Sequence, residues 1–247
     1  MLLLGVLAAV VAGAVAKAAL SAVLSPAALH VEIHAVAAYL AVLGNVYGII
    51  VAFMLFVVWQ QFTEVQTGLE REAAALEDLC RVATFFSEHE PATRVRLAAR
   101  RYIRDTTGDE PGRLAEGRPS AAAQQSFAAL AQAVRGVEVA AAKDAVVYEE
   151  LLRALSRVMQ ARDARLSIST ARIPSTLWKL VFFASLMVVG GFLALGIHAL
   201  WLSVPLVAAV AGTLAFVLGV LRDMDNPFRG VWNGSYAPLT TVSARLA

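Results

Sequence analysis

The chain has 247 residues, is 59% hydrophobic and only 16% charged, and has a mean hydropathy of +0.66. An average soluble domain is roughly a quarter charged, so this composition argues against a soluble protein, and the apolar content excludes a disordered one. The formal net charge is +2, and no basic stripe with interleaved aromatic residues predicts a nucleic-acid partner. The single cysteine, Cys80, excludes an intrachain disulfide and is interpreted as a small packing residue.

The charged residues are concentrated in the middle of the chain. Between Gln61 and Ile173 lie 16 of the 21 Lys and Arg residues and 16 of the 19 Asp and Glu residues. The flanking sequence is nearly free of charge over long runs. This distribution predicts bilayer-embedded segments on either side of one aqueous domain.

Two long apolar runs precede the charged region. The first extends from Leu2 to about Leu24 and is interrupted only by Lys17. No basic residue precedes it, so we expect a retained span rather than a signal peptide. Lys17 is expected to reach an interface or to face protein, with a place in a conducting path as the alternative. The second run, from about Ala35 to Trp59, continues without Pro or Gly into polar sequence, so its helix is expected to leave the membrane intact.

The charged region has the pattern of a mostly helical insert. Its first helix has one apolar stripe at spacings of three and four. The stripe contains Val65, Leu69, Ala73, Leu76, Cys80 and Ala83. Pro91 is expected to end this element, and residues 95–103 form a shorter amphipathic helix. Residues 106–119 are expected to be a loop, Ser120 to begin another helix, and a last long helix to reach Pro174.

Two further apolar runs follow the insert, at about Ser175 to His198 and Leu200 to Leu221. The sequence therefore predicts an all-α integral membrane protein with four transmembrane helices and a helical cytoplasmic insert between spans two and three. The expected divisions are residues 1–60 and 174–222 for the two pairs of spans, 61–173 for the cytoplasmic domain, and 223–247 for a cytoplasmic tail. Glycines within the last two spans are expected to permit close helix approach.

Basic residues determine the expected orientation. The loops at 26–34 and 198–201 contain no Lys or Arg, whereas the opposite ends of the spans carry several. These are Arg71, Arg81, Arg172, Lys179, Arg222 and Arg229. By the positive-inside rule, the insert and both termini face the cytoplasm, which predicts a multi-pass membrane protein.

The sequence contains no motif of enzymatic chemistry. It has no glycine-rich phosphate loop, no nucleophile elbow, no Cys-x-x-Cys and no His-Glu-x-x-His, so neither an enzyme nor a cofactor is predicted. His30 and His34 are four residues apart and would share a helix face, but two or three ligands in a short loop favour a polar cap over a metal site.

The second span has two faces that are each consistent with a functional role. Asn45, Ile49 and Phe53 follow one another at intervals of four, so all three can face one axis. An apolar constriction of this kind can gate a pore by dewetting. Tyr47, Val51 and Met54 define an alternative face, and periodicity alone favours ordinary packing for either one.

The segment after the fourth span is the other informative stretch. Asp223 and Asp225 are the only acidic residues near the C-terminus, and Asn226, Pro227 and Phe228 follow them. Asp or Asn before Pro predicts a turn. Its carboxylates are expected to accept hydrogen bonds from insert arginines or helix N-termini and so to fix the tail, either as a simple helix stop or as part of an ion-sensing site.

Several of these segments resemble the bacterial bestrophin-like domain family. They are residues 53–75 (FMLFVVWQQFTEVQTGLEREAAA), Arg101-Tyr102, residues 162–178 (RDARLSISTARIPSTLW) and the turn at 223–230. A more distant resemblance connects the chain with the bestrophin channels, which are pentamers around an axial pore. Alignment of Phe53 with the last aromatic residue of their pore neck places Ile49 and Asn45 at the other two neck positions.

The resemblance implies a homo-oligomeric ion channel of a bacterial cell inner membrane, most simply a pentamer, with a cytoplasmic vestibule. Membrane lipid and small inorganic ions are the implied partners. The chain departs from the calcium-regulated bestrophins because no run of acidic residues follows its turn, so calcium gating lacks its ligands. The alternative hypothesis is a non-conducting membrane scaffold or signalling adaptor that binds a partner through the arginine-rich segment 94–104. A membrane enzyme ranks third, since nothing in the insert pairs a nucleophile with a base.

Overall fold

The protein is described by a computed structural model that covers residues 2–23, 33–139, 141–169, 172–195, 199–226, 228 and 234–246. Within these ranges the chain is helical and contains no strand. The helices are α1 (Leu2–Val23), α2 (Ile33–Ala83), α3 (His89–Gly108), α4 (Glu110–Ala115), α5 (Ala121–Arg135), α6 (Ala142–Ser169), α7 (Ser175–Ala194), α8 (Leu200–Met224) and α9 (Ala237–Arg245).

Four of the described helices, α1, α2, α7 and α8, are long and apolar enough to cross a membrane. The predicted all-α membrane fold with four spans is therefore confirmed. Helix α2 has 51 residues, which corresponds to about 75 Å at 1.5 Å per residue and exceeds the roughly 30 Å of bilayer hydrocarbon. Its apolar first half thus accounts for the span, and the same helix continues into the charged region without a break.

The chain divides into two compact units. One, called here the membrane unit, comprises Met1–Trp59 and Arg172–Asp225. The other, called the insert unit, comprises Gln60–Ala171 and Asn226–Ala247. The C-terminal segment therefore belongs to the insert unit, to which it is joined by contacts of its own helix α9 with α3.

Within the membrane unit, α1 packs along α8 through small residues. A Cβ added at Gly13 would lie 3.1 Å from the Cβ of Ala211, and one added at Gly212 would lie 2.6 Å from a methyl carbon of Val10. Close approach through small residues is the usual basis of helix association in lipid, where burial of apolar side chains gives no advantage over the lipid tails. The expected role of glycine is thus confirmed for Gly212.

Lys17 faces protein within the membrane unit. Its side chain is buried, and its Nζ donates hydrogen bonds to the carbonyl oxygens of Leu193 and Leu195, at 2.9 and 2.8 Å. These carbonyls lie at the C-terminal end of α7, where the last turn lacks intrahelical donors and attracts positive charge. Lys17 therefore caps the third span, in agreement with the expectation that it contacts protein.

The second span packs by one face only. Tyr47, Met54 and Val58 are buried against α7 and α8, where they contact a cluster that includes Val181 and Leu221. The Oγ of Ser185 on α7 donates a hydrogen bond to the hydroxyl oxygen of Tyr47 at 3.2 Å. The face formed by Tyr47, Val51 and Met54 is thus the packing face of the second span.

The insert unit is built around one apolar core. The second half of α2 contributes the predicted stripe, all six members of which are buried. The core also receives side chains from α3, α5, α6 and α9, and its fully buried members include Ile103, Leu130, Val134, Leu151, Val158 and Leu239. The helical periodicity of the insert sequence is therefore confirmed as the pattern of a folded helical domain.

Two details of the predicted insert are wrong. Pro91 does not end a helix that began in the second span: α2 ends at Ala83, and Pro91 lies in the first turn of α3. The expected loop at 106–119 contains the end of α3 and the short helix α4, in which Pro111 occupies the first turn. Proline is tolerated in a first helical turn because that turn has no intrahelical acceptor for its N–H, so proline marks helix starts here rather than loops.

The predicted helix start at Ser120 is confirmed. Ser120 is the N-cap of α5, and its Oγ accepts a hydrogen bond from the backbone N of Ala123 at 3.1 Å. The same hydroxyl donates to the Oδ2 of Asp109 at 2.6 Å, which ties the start of α5 to the segment before α4.

The contact between α1 and α8 is testable by substitution. Gly212→Ala should destabilise the protein by about 1–3 kcal/mol, because the added methyl group overlaps the branched side chain of Val10. Gly190→Ala is the matched control, since no atom lies within 4 Å of its added Cβ. Thermal unfolding in mild detergent measures both variants. A Gly212→Ala protein as stable as the Gly190→Ala protein would contradict the described packing.

Candidate functional site

The predicted pore residues lie on the unpacked side of the second span. Asn45 is exposed, Ile49 is 69% exposed and Phe53 is 58% exposed, although all three belong to a helix whose other face is fully packed. The structure of the single chain thus distinguishes the two faces that the sequence left open. The Asn45, Ile49 and Phe53 face is available to lipid, to another subunit or to a water-filled axis, and its role in a pore stays a prediction.

The residues of the predicted turn have two different kinds of contact. The Oδ1 of Asp225 accepts a hydrogen bond from the backbone N of Ile173 at 2.8 Å, immediately before the start of α7. This bond connects the end of the fourth span with the entry to the third, both within the membrane unit. Asp223 is half-buried at the end of α8.

Asn226 and Phe228 belong to the insert unit. The Nδ2 of Asn226 donates to the carbonyl oxygen of Ala115 at 3.0 Å, and its Oδ1 accepts a hydrogen bond from the backbone N of Phe228 at 3.2 Å. The Phe228 side chain is buried in the core of the insert unit. An asparagine amide and an aromatic ring thus anchor the C-terminal segment to the insert, while Pro227 lies outside the described residues.

The insert unit also contains a group of buried charges that the sequence analysis did not predict. We call it the buried ion cluster, and it brings together residues from α2, α3, α4, α6 and the segment before α9. Its members are Glu72, Tyr102, Glu110, Arg162, Arg165 and Tyr236.

Arg165 is the centre of this cluster. Its side chain is fully buried, and its Nε donates to the Oε2 of Glu72 at 2.5 Å, while its Nη1 lies 2.7 Å from the Oε2 of Glu110. The hydroxyl of Tyr102 donates to the other carboxylate oxygen of Glu72. The backbone of α2 approaches this arginine closely at Gly68, where an added Cβ would lie 3.4 Å from the Cβ of Arg165.

An aromatic pair supports the second arginine. The guanidinium carbon of Arg162 lies 5.0 Å from the centre of the Phe127 ring, within the range of a cation–π contact. The edge of the same ring meets Tyr102, with 5.4 Å between ring centres. Phe127 therefore connects α5 to the cluster.

Burial dominates the electrostatics of the cluster. Burial raises the pKa of the Glu110 carboxyl above its usual range, and the nearby Arg165 offsets this only in part. For Arg165, burial acts to lower the pKa, but the carboxylates of Glu72 and Glu110 outweigh it and hold the pKa well above its usual value. Burial also raises the pKa of Tyr236 and of Tyr102, the latter with a further contribution from the Glu72 carboxylate. Arg165 is therefore a permanent buried cation.

The sequence did contain a signal for this cluster. Glu72 lies three residues after Leu69 and four before Leu76, in the centre of the apolar stripe of α2. Arg162 and Arg165 similarly continue the buried face of Leu151 and Val158 on α6. Charged residues at apolar positions of two helices predict a buried ion pair between them. Glu72, Tyr102, Arg162 and Arg165 also fall within the segments that carry the family resemblance.

The candidate histidine pair is not tested by the structure. His30 lies outside the described residues, and His34 is exposed at the start of α2. Among the residues that the structure describes, no group of three or more His, Cys, Asp or Glu side chains is arranged to hold a metal ion.

These observations define the class of the protein: an all-α membrane protein with four candidate spans and a helical insert that contains a buried ion cluster. The model of the bestrophin-like domain matches residues 5–239, which is nearly the whole chain. The chain therefore belongs to the bestrophin-like domain family. A comparison with curated proteins finds no sequence match.

Solved structures agree with this assignment at the level of the fold. A crystal structure of a mutated bacterial bestrophin homologue from Klebsiella pneumoniae is similar, with a TM-score of 0.72, 12% identity, and coverage of 99% of this chain and 98% of that one. A structure of the same homologue obtained by zinc phasing has a TM-score of 0.68 at 12% identity and covers 100% and 97% of the two chains. At this identity the likeness concerns the fold alone.

The buried ion cluster predicts a large effect of one substitution. Arg165→Gln should destabilise the protein by about 3–5 kcal/mol, because it leaves two buried carboxylates without their cation. Arg153→Gln on the same helix removes an exposed ion pair with Glu149 and should cost at most about 1 kcal/mol. Thermal unfolding of both variants in detergent measures the difference. Equal losses would show that the cluster does not stabilise the insert.

Glu110 predicts a defined pH dependence. Because its pKa is raised in the folded protein, the folded state retains the proton to higher pH than the unfolded state. Its contribution to stability is therefore fully present below the unfolded pKa and is lost as pH rises through the folded pKa. Glu110→Gln removes this titration. The melting temperature of the variant minus that of the native protein should therefore increase as the pH is raised from ~4 to ~8.

The groups that face Glu110 are retained in this variant; they are Arg162 and Arg165 on α6, Glu72 on α2, and Tyr236. Glu116→Gln, an exposed carboxylate in the segment after α4, is the control and should follow the native protein at every pH. A Glu110→Gln difference that is constant or decreases with pH would contradict the raised pKa.

Proposed function

We propose that this protein is a homo-oligomeric ion channel whose axial pore is lined by the Asn45, Ile49 and Phe53 face of α2. The observation that carries the proposal is the asymmetry of α2: Tyr47, Met54 and Val58 are packed, whereas Asn45, Ile49 and Phe53 on the other side are exposed. Two comparisons support the same function. The chain belongs to the bestrophin-like domain family, and its fold is similar to solved structures of a bacterial bestrophin homologue.

The number of spans requires assembly. Four transmembrane helices are too few to enclose an aqueous pore within one subunit, so the pore must lie on a symmetry axis. Contacts between different faces of neighbouring subunits close such a ring, and the resemblance to bestrophins favours five copies. The exposed faces of the spans then divide between the axis, the neighbouring subunits and lipid.

The chemistry of the face suggests how conduction is controlled. Phe53 and Ile49 form an apolar constriction that excludes water when it is narrow, and such a constriction gates without any charged group. Asn45 is polar and keeps its end of the constriction hydrated. In the proposed orientation, by the positive-inside rule, the insert and both termini face the cytoplasm of a bacterial inner membrane. The permeant species are small inorganic ions, and calcium is not the gating ligand because no acidic run follows Phe228.

Planar-bilayer recordings test the proposal. The purified oligomer should conduct, and Phe53→Ala should raise the open probability or the unitary current by about twofold or more, because a wider constriction dewets less readily. Phe183→Ala is the matched control: Phe183 is an equally exposed phenylalanine on α7, away from the proposed pore face. Its currents should equal those of the native protein.

The subunit number is measured first, by native mass spectrometry in mild detergent. A ring of five supports the axial pore. A monomer or two-fold dimer removes the axis and favours the scaffold or adaptor hypothesis instead. Absence of current from a pure ring, in both the native protein and Phe53→Ala, would also argue for a non-conducting role.

A further inference from the structure

A cleft of about 630 Å³ opens on the insert unit. Its walls come from the end of α2, the first half of α3 and the end of α9. The charged side chains that line it are Glu77, Arg81, Arg96 and Arg245, with His89 nearby, and Cys80 and Leu246 contribute an apolar patch. None of these residues belongs to the buried ion cluster or to the proposed pore face.

Arginines outnumber carboxylates on the cleft wall. Among the described residues that line it, three guanidinium groups accompany one carboxylate. Arg245 pairs with that carboxylate, with its Nη1 at 3.0 and 3.2 Å from the two oxygens of Glu77. Arg81 is bonded to Asp78, which also binds Arg157. Within the described residues, Arg96 forms no hydrogen bond or ion pair and is exposed.

The arrangement matches the recognition of one kind of ligand. A guanidinium group presents a planar fork of donors that binds a phosphate through two parallel hydrogen bonds. Arg96 offers this fork without having to break an existing pair. Arg245 can join it on exchange of Glu77 for the ligand, since exposed ion pairs contribute little to stability.

The volume indicates more than a bare ion. Small-molecule sites commonly measure about 300–1,000 Å³, a range that includes this cleft and exceeds what a phosphate group alone fills. The patch of Cys80 and Leu246 gives room for an apolar part next to the arginines. A phosphate ester, with its charge on the guanidinium side and its organic part on this patch, satisfies both halves of the cleft.

We propose that this cleft binds a phosphate-bearing organic anion. Arg96 is the principal residue that binds the phosphate group, and Arg245 is a second one once it leaves its ion pair with Glu77. The phosphate group belongs either to a soluble ester or to the headgroup of an anionic phospholipid, and the same side chains recognise both. The site is separate from the proposed pore, so binding is measurable whether or not the protein conducts.

Calorimetric titration of the full-length protein in mild detergent tests the proposal with two probes. One probe is glycerol phosphate, and the other is a short-chain phosphatidic acid below its micelle concentration. Arg96→Gln should weaken the binding of the recognised probe by about tenfold, the usual effect of losing one charge-assisted contact. Arg100→Gln, an exposed arginine one turn later on the same helix and outside the cleft, should bind as the native protein does.

A third variant has the opposite expected sign. Glu77→Gln removes the carboxylate that the described residues contribute to the cleft wall and frees Arg245, so it should strengthen binding by about threefold or more. If Glu77 and Arg96 had only a structural role, the affinity for the probe would not rise in the Glu77→Gln variant and fall in the Arg96→Gln variant. Melting temperatures of all three variants should stay close to the native value, because Arg96 and Arg100 are exposed, Glu77 is half-buried and no buried pair is broken.

The outcomes separate the two sources of phosphate. If glycerol phosphate binds, and its affinity is highest for Glu77→Gln and lowest for Arg96→Gln, the ligand class is a soluble phosphate ester. Binding of phosphatidic acid alone, with the same order, identifies a lipid headgroup. If neither probe binds, if Arg96→Gln binds as well as the native protein, or if Arg100→Gln loses as much affinity, the cleft is not a phosphate site and its arginines are only a solvated surface.

Discussion

The insert depends on the pairing of one buried cation. Arg165 on α6 reaches Glu72 on α2 and Glu110 on α4, and Tyr102 on α3 completes the hydrogen bonding of Glu72. An ion of this size loses several kcal/mol of hydration on burial, so it is tolerated only where opposite charges meet it closely. The pairing therefore requires α2, α4 and α6 to meet at Arg165 in the folded insert. The buried ion cluster thus connects the helices that also form the apolar core of the insert unit.

Different interactions hold the membrane unit together. Its helices gain nothing from hiding apolar side chains that lipid would solvate equally well, so contact relies on close approach at Gly13 and Gly212 and on the polar cap that Lys17 provides for α7. One face of α2 takes part in this packing through Tyr47 and Met54. The other face, which carries Asn45, Ile49 and Phe53, is exposed in the part of the chain that the structure describes.

The sequence predicted the spans closely, because the hydrophobic thickness of a bilayer sets both the length and the composition of a transmembrane helix. The predicted starts at Leu2, Ser175 and Leu200 coincide with the starts of α1, α7 and α8. Ser120 was recognised as a helix start from its side-chain chemistry. The expected helix end at Pro91 and the expected loop around Pro111 were wrong, because both prolines lie in the first turn of a helix. Proline also occurs where helices end, and only the folded chain distinguishes the two positions.

The sequence by itself determined the fold class, the insert and the apolar stripe of α2, because hydropathy and helical periodicity are local properties that each segment carries alone. Only the tertiary structure decided which face of the second span is packed, and which charges are buried. Glu72 and Arg165 are 93 positions apart, and each looks like an interruption of its own stripe until the other lies against it. The positions of paired charges depend on contacts between distant segments, and for that reason the buried ion cluster and the arginine-lined cleft became visible only in the folded chain.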